Sequence, residues 1–278
     1  MLGKLLKYDL RSILRQFLPV WILAPVVAVI LGLSMSGTEY TFIGNILAHS
    51  DNETLAGIMI LVFVSVMIAL FVMTVLFVIQ RFWNGLLKEE GYLMFTLPAE
   101  TWELIAAKGL AATLVTCISI LVGMVSGILV ILISTSEILR AVSSAWRSIV
   151  EVLIKDTYSP YYWMTMILWI LIGIFSVAKS IYQVYASMAV GHLFEKHRVA
   201  GACIAYVGIS VILSVIGSLC MGAAGVLFDA GWMNDLMENA GVWYVSVRQI
   251  FVLLLTIVQL VIFHVVTERI LDTRLNLE

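Results

Sequence analysis

Six long apolar runs, each free of Asp, Glu, Lys and Arg, constrain this chain more than any motif in it. They cover 17–33, 55–79, 109–133, 161–178, 199–228 and 249–266. A helix crossing the hydrocarbon of a bilayer needs about 20 mostly apolar residues. The shortest run has 17, so some spans extend into polar flanks. We place them at 17–35, 55–79, 104–133, 161–190, 199–228 and 245–266. Strands of a membrane barrel would be about ten residues long and would alternate apolar with polar. These runs are continuously apolar, which suits helices that satisfy their own backbone groups. A chain 62% hydrophobic and 12% charged is no ordinary soluble domain. The expected fold class is an all-α integral membrane protein with six transmembrane helices, forming one domain over 1–278.

Charge sets the expected orientation. Lys4, Lys7, Arg11, Arg15, Arg81, Lys88, Lys108, Lys196, Arg198, Arg269 and Arg274 fall on one side of such a topology. Only Arg140, Arg147, Lys155 and Arg248 fall on the other, with Lys179 at a span edge. The excess of Lys and Arg predicts that both termini are cytoplasmic. The net charge of −2 gives no reason to expect a nucleic-acid partner. An N-terminal basic stretch before an apolar run also suits a secretory signal. Here the basic stretch is long, contains Asp9, and no small-residue cleavage site clearly follows, so the first run is expected to remain a span.

Residues 1–16 read as a helix in which Leu2, Leu5, Leu6, Leu10, Ile13, Leu14 and, just beyond, Phe17 recur at helical spacing, with Lys4, Lys7, Arg11 and Arg15 mostly on another face. That pattern predicts an amphipathic elbow helix lying in the interface, apolar face in lipid and cations near anionic headgroups. A plain topology-setting flank is the simpler alternative. Between the second and third spans, 81–108 is too apolar for a solvated loop. Trp83, Leu86, Leu87, Tyr92, Leu93 and Phe95 need a surface: headgroups, the chain's own spans, or a partner protein. Residues 134–160 read as an outer helix, with Ile138, Val142, Trp146, Ile149 and Leu153 on one face. The fourth helix, extended from Trp163 to Phe194, would reach roughly 48 Å and protrude from the membrane. Gly217, Gly222 and Gly225 are expected to interrupt 199–228 and leave a re-entrant or interfacial piece before Trp243.

Catalytic and metal signatures do not emerge. There is no phosphate loop, no H-E-x-x-H and no Cys/His cluster with ligand spacing. No G-x-S-x-G elbow marks a serine nucleophile. Cys117, Cys203 and Cys220 lie in apolar runs and form no disulfide framework. Lys179 is a candidate gating or substrate-contacting cation, but a lysine snorkelling to the inner boundary is favoured. Gln259 and His264 read as helix-packing groups rather than a proton relay. The poverty of acids within spans weighs against an ion-driven carrier. Gly123, Ser126 and Gly127 permit close helix contact.

Several stretches, in order, resemble one family. MLGKLLKYDLRSILRQFLPVW resembles the elbow helix and first span of bacterial ATP-binding-cassette (ABC) export permeases of the type-2 exporter class. EEGYLMFTLPAETWELIAAKGL is similar to the cytoplasmic link between spans two and three in such permeases from Clostridium-like Gram-positive bacteria. YASMAVGHLFEKHRV and TERILDTRLNLE resemble their fourth-span exit and C-terminal tail. The resemblance implies a permease subunit in the bacterial plasma membrane, paired with a second copy or a related permease and with separate ABC ATPase subunits. ATP and Mg would be bound by those ATPases, with no cofactor in this chain. By match of position, Glu89, Glu90, Gly91, Tyr92, Phe95, Leu97 and Pro98 would dock the ATPase. The cargo implied is amphipathic peptides, antimicrobial peptides among them, or other hydrophobic compounds. A non-translocating sensor or scaffold, a secondary carrier and a lipid-handling membrane enzyme are the competing readings.

Overall fold

The computed structural model describes residues 2–35, 52–84, 101–133, 144, 160–194, 197–228 and 243–274. Among them the secondary structure is helical, with no strand. Six long helices follow in chain order: α1 (Leu2–Met35), α2 (Asn52–Phe82), α3 (Thr101–Ile133), α4 (Pro160–His192), α5 (Arg198–Phe228) and α6 (Trp243–Arg274). Each contains a stretch long and apolar enough to cross a membrane. Among the described residues the chain is thus helical, with six helices capable of spanning a membrane, as expected. The outer segment expected to be helical, the seven residues of the docking link and the region of 229–242 lie outside the described residues, apart from Ser144, which is helical.

Helix α1 differs from expectation. It runs without interruption for 34 residues, about 51 Å at 1.5 Å per residue. No break separates a charged elbow from the span. Pro19 and Pro25 lie inside it, and lacking N–H groups they cannot donate to the carbonyls of Arg15 and Trp21. Spanning helices tolerate this when neighbouring groups satisfy the freed carbonyls. Helix α5 also corrects the expectation: Gly217 and Gly222 sit within a helix unbroken from Arg198 to Phe228. Glycine costs about 1 kcal/mol in a helix, which continuous apolar neighbours and internal hydrogen bonding outweigh where water is absent.

The chain divides into two compact units. One comprises Met1–Leu5, Ile79–Thr113 and Thr157–Glu278; the other comprises Leu6–Val78 and Leu114–Asp156. In the second unit a polar node ties three helices. The Trp21 indole donates to Ser119 Oγ at 3.0 Å, and the Ser119 and Thr74 hydroxyls lie 3.2 Å apart. Thr74 also donates to the Leu70 carbonyl at 2.7 Å. One proton per donor suffices if Ser119 donates to Thr74, since hydroxyl protons rotate to suit their partners. Around the node, Phe17 meets Phe77 edge-on, with centroids 5.1 Å apart. Of the three small residues on α3, Ser126 is buried and Gly123 would bring a Cβ to 3.2 Å from Met67 Cε, while Gly127 faces open space.

In the first unit, α4 packs against both α5 and α6. The α4–α5 reversal is tight. Leu193 and Phe194 donate backward to the Val190 and Gly191 carbonyls, and the Gly201 amide donates to the His197 carbonyl. Gly191 lies so close to the Ala202 backbone that a Cβ there has no room. The short polar turn expected after α4 is thus present. Across this reversal Gln183 Nε2 donates to Ser210 Oγ at 2.8 Å.

Candidate functional site

The link between α2 and α3 carries all seven docking candidates, so its described ends define where a site would be mounted. Helix α2 leaves through a π-type turn at Trp83 and Asn84, and α3 begins at Thr101 with Glu103 in its first turn, where the helix dipole favours an acid. Between these ends, Glu89, Glu90, Gly91, Tyr92, Phe95, Leu97 and Pro98 lie outside the described residues. What can be built upward is the packing around the described ends of the link.

That packing is an aromatic cluster fed by four helices. Phe82, in the last turn of α2, stacks on Tyr185 of α4 at 4.1 Å between centroids and 17° between planes. Tyr185 is fully buried, and its hydroxyl lies 3.4 Å from the Lys108 carbonyl of α3. That distance is long for an O–H···O bond, so the ring contacts hold Tyr185 more than its hydroxyl does. One turn earlier on α4, Tyr182 meets Tyr185 at 5.8 Å and His264 of α6 at 5.4 Å, both in edge-on geometry. Gly109 supplies the gap for the Tyr182 ring: a Cβ at 109 would overlap the phenol. Leu104, Ile105, Ala107, Ala111 and Ala112 complete a buried face on α3. Small and large side chains alternate across the seam, the arrangement that fills space without strain.

Four residues need restating against expectation. Lys108, counted with the loop charges, is part of α3 and only 3% exposed. Lys179 is half-buried on α4. His264 packs against Tyr182, as expected of a packing group. Gln259 is half-buried on α6.

The sequence reading does not single out Tyr182 and Tyr185, Gln249 or His192. The available signal for the two tyrosines was their one-turn spacing with Ala186 and Ala189, all buried, against an alanine-rich stretch of α3. Gln249 is 5% exposed and has both side-chain amide atoms buried without a hydrogen-bond partner. His192 likewise has a buried Nδ1 without a partner, its ring tilted over Trp83 at 6.2 Å.

Chemically, the cluster offers stacking and steric fit rather than an acid–base pair. Among the described residues, no group of three or more His, Cys, Asp or Glu side chains is arranged to hold a metal ion. The cysteines Cys117, Cys203 and Cys220 are free thiols. The arrangement suits a rigid mount that fixes where the 85–100 link leaves and re-enters the helices. Comparisons with protein-family models, with curated proteins and with solved structures return no match.

Proposed function

We propose that this chain is the membrane-spanning permease subunit of an ATP-driven ABC exporter in a bacterial plasma membrane, with both termini cytoplasmic. Six span-capable helices support the membrane half of this reading. The ordered resemblance of four stretches to type-2 exporters carries the other half, together with the bias of Lys and Arg to one side. In this reading the charged half of α1 is the counterpart of the family's elbow helix. The 85–100 link rests on a partner ATPase through Glu89, Glu90, Gly91, Tyr92, Phe95, Leu97 and Pro98. ATP and Mg are held by that partner, and a second permease chain completes the pathway. Closure of the ATPases presses on the link, and the aromatic cluster that packs α2, α3, α4 and α6 together holds the helices that the link joins. Cargo is an amphipathic peptide or another hydrophobic compound, a class suited to spans poor in charge.

The test is purification of the tagged chain in mild detergent from its native host, followed by mass spectrometry of what accompanies it. A stoichiometric phosphate-loop ATPase is expected. Glu89→Lys combined with Glu90→Lys is expected to weaken that association at least severalfold while leaving membrane insertion intact. Recovery of the chain alone, under conditions that keep other such complexes together, would overturn the reading.

A further inference from the structure

The outward face of α1 changes character once along its length. Lys7, Arg11 and Arg15 are exposed at one-turn spacing. Beyond them on the same side come Leu18, Ile22 and Val26, each about half exposed. At 100° per residue these six positions fall within an arc of roughly 100°. The other side of the helix is covered by protein: Ile13 is 0% and Phe17 3% exposed, followed by buried Ala24, Ala28 and Leu31. An elbow lying in the interface must dip its apolar face into lipid. In α1 the helix continues unbroken into the span, and of the apolar residues at its charged end Ile13 and Phe17 are covered by protein while Leu14 is exposed.

We propose that this outward face binds an anionic phospholipid, with α1 standing across the membrane rather than lying in its plane. The phosphate sits on Lys7, Arg11 and Arg15, and an acyl chain follows Leu18, Ile22 and Val26. The dimensions fit. The cations extend over roughly 12 Å of helix, the depth of a headgroup layer, and Arg15 to Val26 covers about 16 Å, close to one leaflet of a 30 Å hydrocarbon core. Pro19 sets the boundary between the two zones, because the Arg15 carbonyl it leaves undonated sits where headgroups and water can reach it. Arginine forks are matched to phosphate oxygens. The proposal requires only that the chain spans a membrane and is independent of the exporter reading.

Two measurements test it. The first is native mass spectrometry of the full chain from micelles holding equal amounts of phosphatidylglycerol and phosphatidylcholine. Wild type is expected to retain phosphatidylglycerol preferentially, by roughly fivefold for each engaged cation. R11Q/R15Q is expected to fall towards parity. R198Q/R269Q, which removes the same charge from other helices, is expected to keep the preference. Absence of a preference in wild type, or equal loss in both variants, overturns the site. The second uses spin labels at Y8C, L14C, L18C and I22C, in a background with Cys117, Cys203 and Cys220 replaced by Ala, in bilayers. Oxygen accessibility is expected to rise, and that of a water-soluble nickel chelate to fall, steadily from 8 to 22. Equal depth at 8 and 14 would return α1 to an in-plane elbow.

Discussion

Gly109 and Gln249 show opposite residue-scale effects, one a position that admits nothing larger and the other a group with unused bonding capacity. A Cβ at 109 meets the Tyr182 hydroxyl and ring. Gly109→Ala is expected to destabilise the protein by about 1–3 kcal/mol, the usual cost of overpacking. Combined with Tyr182→Leu, the loss should be less than the sum of the two changes, because the leucine vacates the space the new methyl needs. Thermal melting in detergent reads both, and strict additivity would separate the two residues. Gln249 is buried with both amide atoms unpaired, a state that costs roughly 1–3 kcal/mol in a protein interior. Gln249→Met keeps much of the volume and removes the unpaired groups, so the melting temperature should hold or rise. A clear drop would mean that the amide is engaged after all.

At the scale of elements, α4 is the organising helix of its unit. It carries Tyr182 and Tyr185, reaches α2 and α3 through aromatic and backbone contacts, and packs on α5 and α6. Tyr185→Ala should cost about 3–5 kcal/mol, in line with removing a large buried ring. Tyr185→Phe should cost clearly less, since it keeps the buried, stacked ring and removes only the hydroxyl. Equal losses would shift the weight from the ring to the hydroxyl. The six helices were legible in sequence because the bilayer imposes length and composition on each of them separately. The aromatic cluster was not, because Phe82, Gly109, Tyr182 and His264 come together only through the packing of four helices. Each looks like ordinary apolar or boundary sequence alone. Helix α1 misled for a related reason: seven apolar residues at helical spacing are the same pattern whether lipid or protein covers them. Burial of Ile13 and Phe17 and exposure of Leu14 show that protein covers part of that set, which periodicity cannot.

At the scale of the whole molecule the testable quantity is topology. Thr273 is exposed near the end of α6. With both termini cytoplasmic, Thr273→Cys in a background free of other cysteines should react with an impermeant thiol reagent only after the membrane is opened. Labelling in intact cells would invert the arrangement, and with it the side on which the 85–100 link meets any ATPase.

Helix α4 also has a practical consequence. Its 33 residues cover about 50 Å, and it changes surroundings part-way along. Trp163, Ile167, Trp169 and Ile170 are exposed, whereas residues from Ile181 to Ala189 are almost all buried. One half is therefore dressed by solvent of the membrane and the other by protein. Thinning the micelle should loosen the two halves unequally. Moving from a long-chain to a short-chain detergent, amide hydrogen exchange should accelerate across 163–178 and hold steady across 181–189. The chain would then keep most of its helical signal and its aromatic cluster while the N-terminal half of α4 had already loosened, so helicity alone would be a poor guide to whether a preparation is intact.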